Sequence, residues 1–184
     1  REYEADVIRI NSQSGKGGIG YIMEHQFGMN MPQKMREPFG YMVKHVSDNA
    51  HRELMPSEVY DIFVKEFINI QSPVTLKEAH YAQKNGITAE VTVGKDGKEY
   101  KETAHGNGRL NAVSSALMKM LGIKYDLHTY TEHAMEHGDT SKAVSYVGIT
   151  DESGKNYWGV GIETDIIDSS LKALFSAVNN MIAE

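Results

Sequence analysis

The sequence predicts an α+β protein, in which a small linker subdomain of strands plus a helix precedes a larger domain of two β-β-β-α units. Three observations carry that prediction. The chain beyond Pro73 holds segments of strand length and composition that fall into two groups of three. In each group a glycine-bearing turn joins the last two strands: Gly94-Lys95-Asp96-Gly97 in one, Asp151-Glu152-Ser153-Gly154 in the other. Each group then closes with an amphipathic helix.

In chain order, residues 3–10 carry Val7, Ile8 and Ile10 in loose alternation and read as a strand. Asn11 to Gly18 is a turn-rich loop, and Ile19 to Met23 reads as a second short strand. Pro32 opens a helical stretch in which Met35, Phe39, Met42, Val43 and Val46 share a face. Pro38 inside it predicts a kink or a later start. The polar run His51 to Pro56 marks a boundary, giving a linker over 1–52 and the larger domain over 53–184. Pro56 and Ser57 fit a helix start, followed by Val59, Ile62, Phe63 and Phe67, with Pro73 as the stop.

Strands follow at about 74–82, 87–93 and 98–104, then a helix with Leu110, Val113, Leu117, Met120 and Leu121 on one side, stopped by Gly122. The second group has strands at about 124–133, 142–150 and 156–163. Its helix carries Leu171, Leu174, Phe175, Val178 and Ile182. Gly97-Lys98-Glu99-Tyr100 pairs with Gly154-Lys155-Asn156-Tyr157, and Val113, Leu117 and Met120 pair with Leu171, Phe175 and Val178 once one residue is added in the turn. This internal repeat, about 74–122 and 123–184, implies two sheets that each need a helix over their apolar face.

Composition narrows the function classes. Of 184 residues 40% are hydrophobic, which is enough for a core. The net charge of −6 lacks the electrostatic footprint of a nucleic-acid binder. With no cysteine there is neither a disulfide nor a thiolate metal site. No apolar run approaches the roughly 18 residues of a membrane span, and no signal peptide is visible, so the expectation is a cytoplasmic protein without membrane or nucleic-acid partners. The polar start Arg1-Glu2-Tyr3-Glu4 reads as the middle of a longer chain.

Three motifs have chemical potential. Ser14-Gly15-Lys16-Gly17-Gly18 imitates a phosphate loop, yet Ile10 stands where the first glycine belongs and Gly17 follows the lysine in place of Ser or Thr; a tight loop with glycines at positive φ is the plainer reading. His133 and His137 would share a face on a helix and suit zinc, but His133 falls at the end of a strand and a third ligand is missing, so no metal site is expected. Gly106-Asn107-Gly108 precedes a helix whose first N–H groups attract an anion such as a carboxylate, or it is a plain turn with Asn107 as the cap. The equivalent turn of the second unit is acidic, with Glu163, Asp165 and Asp168 around Ile166 and Ile167. Those acids either face an ammonium or only complement the helix dipole. Together the two turns have the polarity an amino-acid ligand requires, with apolar residues between charged ends. No nucleophile–base–orienter set stands out, so no catalytic residue is expected.

Longer strings carry a resemblance. Ile8-Arg9-Ile10-Asn11-Ser12-Gln13-Ser14-Gly15-Lys16-Gly17-Gly18, followed by Tyr21-Ile22-Met23, resembles a signature stretch of the 2-isopropylmalate synthase family, where it lies after the catalytic barrel. Gly106-Asn107-Gly108, Tyr130 through Glu132-His133-Ala134-Met135, Trp158-Gly159-Val160-Gly161-Ile162 and the helix ending Ser176-Ala177-Val178-Asn179 match the same family in order. The resemblance covers nearly the whole chain. It implies a linker subdomain plus the family's regulatory domain, which dimerises and binds L-leucine for feedback inhibition.

The family's enzyme condenses acetyl-CoA with 2-oxoisovalerate on a barrel that uses a divalent metal. The resemblance begins downstream of that barrel, so it implies no catalytic residue and no cofactor in this chain, with the barrel of the same polypeptide as a partner. Carried over by motif, the leucine site would use Gly106, Asn107, Gly108, Leu110, Leu127, Tyr130, Ala134 and Ile166. Two alternatives stay open: an isoleucine-sensing domain of a citramalate synthase, and a pure dimerisation module with a degenerate ligand site, which Arg109 and the acidic second turn allow.

Overall fold

The computed structural model describes residues 16–135 and 141–184, so the strand expected over residues 3–10 lies outside the described residues, as does His137. The chain divides into two compact units. The described part of the first covers residues 16–66, 133–135 and 141–142, and the second consists of residues 67–132 and 143–184.

The first unit is built on helices. Helix α1 spans Lys16–Phe27, α2 spans Gln33–Ala50 and α3 spans Pro56–Phe67. Helix α1 corrects two sequence expectations. Gly17 and Gly18 are helical from the first turn, not part of a tight loop, and Ile19 to Met23 is not a strand. The reason lies in the spacing: Ile19, Ile22 and Met23 stand at i, i+3 and i+4, and all three are buried. Helix α2 continues through Pro38 and ends at His51, whose φ of 55° turns the chain left-handed. Phe39 meets Phe63 edge-to-face at 5.3 Å between centroids, and Phe27 stacks on Tyr60 at 4.5 Å. At the head of α3, Glu58 accepts from the Met55 N–H at 2.9 Å and from both Arg52 guanidinium nitrogens at 3.0 and 2.6 Å. The Arg52 hydrogen bond, then the Met55 amide, holds the Glu58 carboxyl down at about 2.

The second unit contains the expected repeat. Strands β1 (Thr75–Gln83), β2 (Ile87–Lys95) and β3 (Lys98–Gly106) form one antiparallel sheet in that order, followed by α4 (Arg109–Leu121). Strands β4 (Tyr125–Ala134), β5 (Ala143–Asp151) and β6 (Asn156–Glu163) form the second sheet, followed by α5 (Ile166–Ile182). Lys95 pairs with Lys98, leaving Asp96 (φ 55°) and Gly97 (φ 74°) as a two-residue turn of the kind that matches strand twist. In the second hairpin the Asp151 carboxylate accepts from the Ser153 and Lys155 amides, both at 2.9 Å, and Gly154 takes φ 91°.

One core joins the two repeats: Val91 and Val93 from the first sheet, Val113 and Leu117 from α4, Val147 and Ile149 from the second sheet, Leu174 and Val178 from α5. Helix α5 lies unusually close to β6. A Cβ at Gly159 would stand 2.1 Å from the Ala173 carbonyl oxygen, and one at Gly161 only 1.9 Å from that of Ser169. Glycines on the strand and Ser169, Ala173, Ser176 and Ala177 on the helix let the two backbones approach. The buried Ser169 hydroxyl bridges the gap, 2.7 Å from Ser145 Oγ and 3.0 Å from the Gly161 carbonyl.

Helix α3 ends at Phe67, well before the expected stop at Pro73. Asn69 takes φ 51° and redirects the chain along β6: its N–H donates to Val160 O at 2.9 Å, and its side-chain amide both accepts from the Ile162 N–H and donates to the Ile162 carbonyl. Ile70 N–H donates to Ser176 Oγ at 2.7 Å. The buried Asn179 amide accepts from Val74 N–H and donates to the Ile70 and Val74 carbonyls, each at 2.9 Å. These side chains satisfy backbone groups that no strand partner reaches.

Candidate functional site

The second unit places the starts of α4 and α5 around one cavity of about 420 Å³. Gly108, Arg109, Leu110 and Asn111 supply the α4 wall, Ile166, Ile167 and Ser170 the α5 wall, and Leu127 and Tyr130 come from β4. Of the residues singled out from the sequence, the structure thus brings together Gly108, Leu110, Leu127, Tyr130 and Ile166. Gly106 and Asn107 do not line the cavity. Gly106 ends β3, where a Cβ would stand 2.5 Å from Ala112 N, so the glycine lets α4 pack against the strand end. Asn107 sits in the turn and is not the helix cap. Gly108 occupies the cap position with extended backbone and no side chain to accept from the first-turn amides. Ala134 is the last residue of β4 and belongs to the first compact unit, whereas the residues lining the cavity all belong to the second.

The two helix starts are opposite in chemistry. The α4 start leaves first-turn N–H groups without a side-chain acceptor and adds the Arg109 guanidinium. The α5 start is capped by Asp165, whose carboxylate accepts from the Ile167 and Asp168 amides at 2.7 and 3.2 Å. Of the acidic turn residues, Asp165 is therefore engaged in the cap, and Glu163 is ion-paired with Lys172. Asp168 occupies the first turn of α5. Between these poles the lining is apolar: Leu110, Leu127, Ile166 and Ile167.

Tyr130 lines the cavity, and Tyr81 bears on it through Arg109. Tyr130 donates to Glu132, and its hydroxyl is pushed up to about 12, first by burial and then by that hydrogen bond and the carboxylate charge. Tyr81, from β1, has its hydroxyl oxygen buried without a hydrogen-bond partner among the described residues, and its ring lies under Arg109 with the guanidinium carbon 5.4 Å from the centroid. Burial raises the Tyr81 hydroxyl; Arg109 pulls it back, and Asp168 and Asp165 push it up.

The lining residues outside the carried-over site are Arg109, Asn111, Ile167 and Ser170. The helical period gives Ser170 from Ile166, one turn on, while nothing in the sequence singles out Asn111. Among the described residues no group of three His, Cys, Asp or Glu side chains is placed to hold a metal ion, and no helix is long and apolar enough to cross a membrane. His133 is in strand β4, as its sequence context indicated.

Residues 53–182 match the family model described as the LeuA allosteric (dimerisation) domain. The chain belongs to that family. Residues 1–24 match a second model, described as alpha-isopropylmalate synthase, post-catalytic domain-like. Among relatives, a 2-isopropylmalate synthase of Desulfitobacterium hafniense is 52% identical over 184 residues, all of this chain and 33% of the relative. One of Helicobacter hepaticus is 42% identical, over 99% of this chain and 34% of the relative. One of Corynebacterium efficiens is 40% identical, over 97% and 31%. The chain therefore spans about a third of the length of the curated relatives it matches. The LeuA dimerisation family supplies the two-helix-start cavity with a context: its model covers both repeats and the whole cavity lining.

Proposed function

We propose that this chain is the regulatory portion of a 2-isopropylmalate synthase, which binds L-leucine in the cavity between the starts of α4 and α5, works as a homodimer, and passes feedback inhibition to a catalytic barrel of the same polypeptide. One observation carries the proposal: Gly108, Leu110, Leu127, Tyr130 and Ile166, which lie far apart in sequence, line one cavity with the Arg109 cation and an apolar middle. A carboxylate with a branched aliphatic side chain suits that lining, and the acidic first turn of α5, with Asp168, suits an ammonium beside it. The match to an allosteric, dimerising family and the names of the relatives support it. In this reading residues 1–52 are the linker and residues 53–184 the regulatory domain. Acetyl-CoA condensation, with its divalent metal, belongs to the barrel, and the protein is cytoplasmic.

Physically, leucine inhibits only by binding one state of the enzyme better than another, with a coupling of about 1–3 kcal/mol being usual. Calorimetric titration with L-leucine, L-isoleucine and L-valine, with the mass in solution measured alongside, tests the proposal. Saturable binding of leucine to a dimer, tighter than isoleucine, is expected. A preference for isoleucine moves the chain to the citramalate branch. A second reading, a dimerisation module without a ligand, is favoured by one observation: Glu163 and Asp165 already have partners. A folded dimer that binds none of the three amino acids would establish it.

A further inference from the structure

We infer that Arg109 is a specificity residue of this cavity, gripping the ligand's carboxylate and so selecting a free amino acid over its amide. The inference rests on the proposal that the cavity takes a branched-chain amino acid, and its test separates the two. Arg109 is the first residue of α4 and lines the cavity beside Gly108 and Leu110. Its guanidinium lies over the Tyr81 ring, with 5.4 Å from Cζ to the centroid. A planar cation resting on an aromatic face keeps its N–H edge available for a second partner. Among the described residues no carboxylate or carbonyl accepts from that edge.

Among the described residues the cation has no ion-pair partner. Of the nearby acids, the Asp165 carboxylate caps α5 and Glu163 pairs with Lys172, and among the described residues no ion pair joins Asp168 to Arg109. Tyr81 in turn packs against the core with its hydroxyl oxygen buried, so its ring gives the guanidinium a shelf. A guanidinium with a fixed plane and free donors matches a carboxylate in the two-bond geometry that Lys cannot supply. The apolar lining can tell one aliphatic side chain from another, but it cannot tell an acid from an amide; Arg109 is the cavity residue with the charge to do so.

The experiment titrates L-leucine and L-leucinamide into the wild-type chain, Arg109→Gln and Arg109→Lys, with a thermal melt of each protein. Arg109 is exposed, so the variants should melt near the wild type. Arg109→Gln is expected to weaken leucine about tenfold or more while leaving leucinamide within about twofold, with Arg109→Lys between the two for leucine. Equal leucine affinity in Arg109→Gln and wild type overturns the inference and leaves the leucine site standing. So does an equal loss of both ligands, which would mean a role in shaping the cavity. A folded wild type that binds no leucine sinks the site itself, and Arg109's role with it.

Discussion

Gly161→Ala tests the closest packing in the fold. The new methyl would stand 1.9 Å from the Ser169 carbonyl oxygen and 2.7 Å from Ala173 N, all backbone, so no side chain can swing away. Real Cβ contacts stay beyond 3.0 Å, and α5 must therefore retreat from β6 by at least about 1 Å. That retreat stretches the Ser169 bonds to Ser145 Oγ and Gly161 O, now 2.7 and 3.0 Å, and strains the Asn179 contacts that hold Val74. Overpacking costs typically about 1–3 kcal/mol, and a buried polar group left without its partner about 1–3 kcal/mol more. A loss of about 3 kcal/mol or more is expected, a large fraction of the roughly 5–15 kcal/mol that holds a domain together. Guanidinium unfolding followed by circular dichroism measures it. Gly18→Ala is the control: Gly18 is helical, exposed and has nothing within 4 Å of a Cβ, so it should gain about 0.5–1 kcal/mol. A Gly161→Ala protein within about 0.5 kcal/mol of wild type would refute the backbone-contact argument, since that is the scale of an inert surface change.

Other perturbations follow from particular bonds. Asn179→Leu keeps the volume but strands the Val74 amide and two carbonyls; the melt should drop by about 2–4 kcal/mol and the Val74 amide should lose its hydrogen-exchange protection. Asp165→Ala removes the α5 cap and should cost about 1 kcal/mol in chemical denaturation, while Asp165→Asn should cost far less. Glu58 has a carboxyl lowered to about 2, so its contribution is full above its unfolded value and fades as pH falls through the folded one. Stability of the wild type should therefore decline between about pH 4.5 and 2 by more than that of Glu58→Gln, the difference staying under about 1 kcal/mol because the pair is partly exposed.

The local chemistry of the hairpin turns and of the α4 stop was legible in the sequence. Asp96-Gly97 and Gly154 announce hairpins because only residues that tolerate positive φ fit there, and Gly122 stops α4 in the same way. The two β-β-β-α units follow from these stops and the apolar periods between them. The same local logic went astray at Ile19 to Met23, where five residues rich in apolar side chains fit a strand or a helix until the i, i+3, i+4 face of Ile19, Ile22 and Met23 is given its weight. Five residues of the carried-over site, Gly108, Leu110, Leu127, Tyr130 and Ile166, were named from motifs alone, and they line one cavity.

Other features depended on distant parts of the chain. Asn69, Asn179 and Ser176 look like ordinary polar residues until residues 68–74 lie against β6 and α5, because what they satisfy is the backbone of a segment far away in sequence. Leu127 and Tyr130 are three apart on one strand, a spacing that alternation assigns to opposite faces; β4 is the edge of its sheet, and an edge lets one cavity reach both. Arg109 is read from sequence only as a charge next to glycines, and it takes Tyr81 of β1 to give its guanidinium a plane. By itself, then, the sequence determined the two β-β-β-α units, their order and the family, since those depend on backbone preferences and patterns over a few residues. Tertiary structure decided which side chains share a cavity and which charges meet, because both depend on distances between residues that the chain keeps far apart.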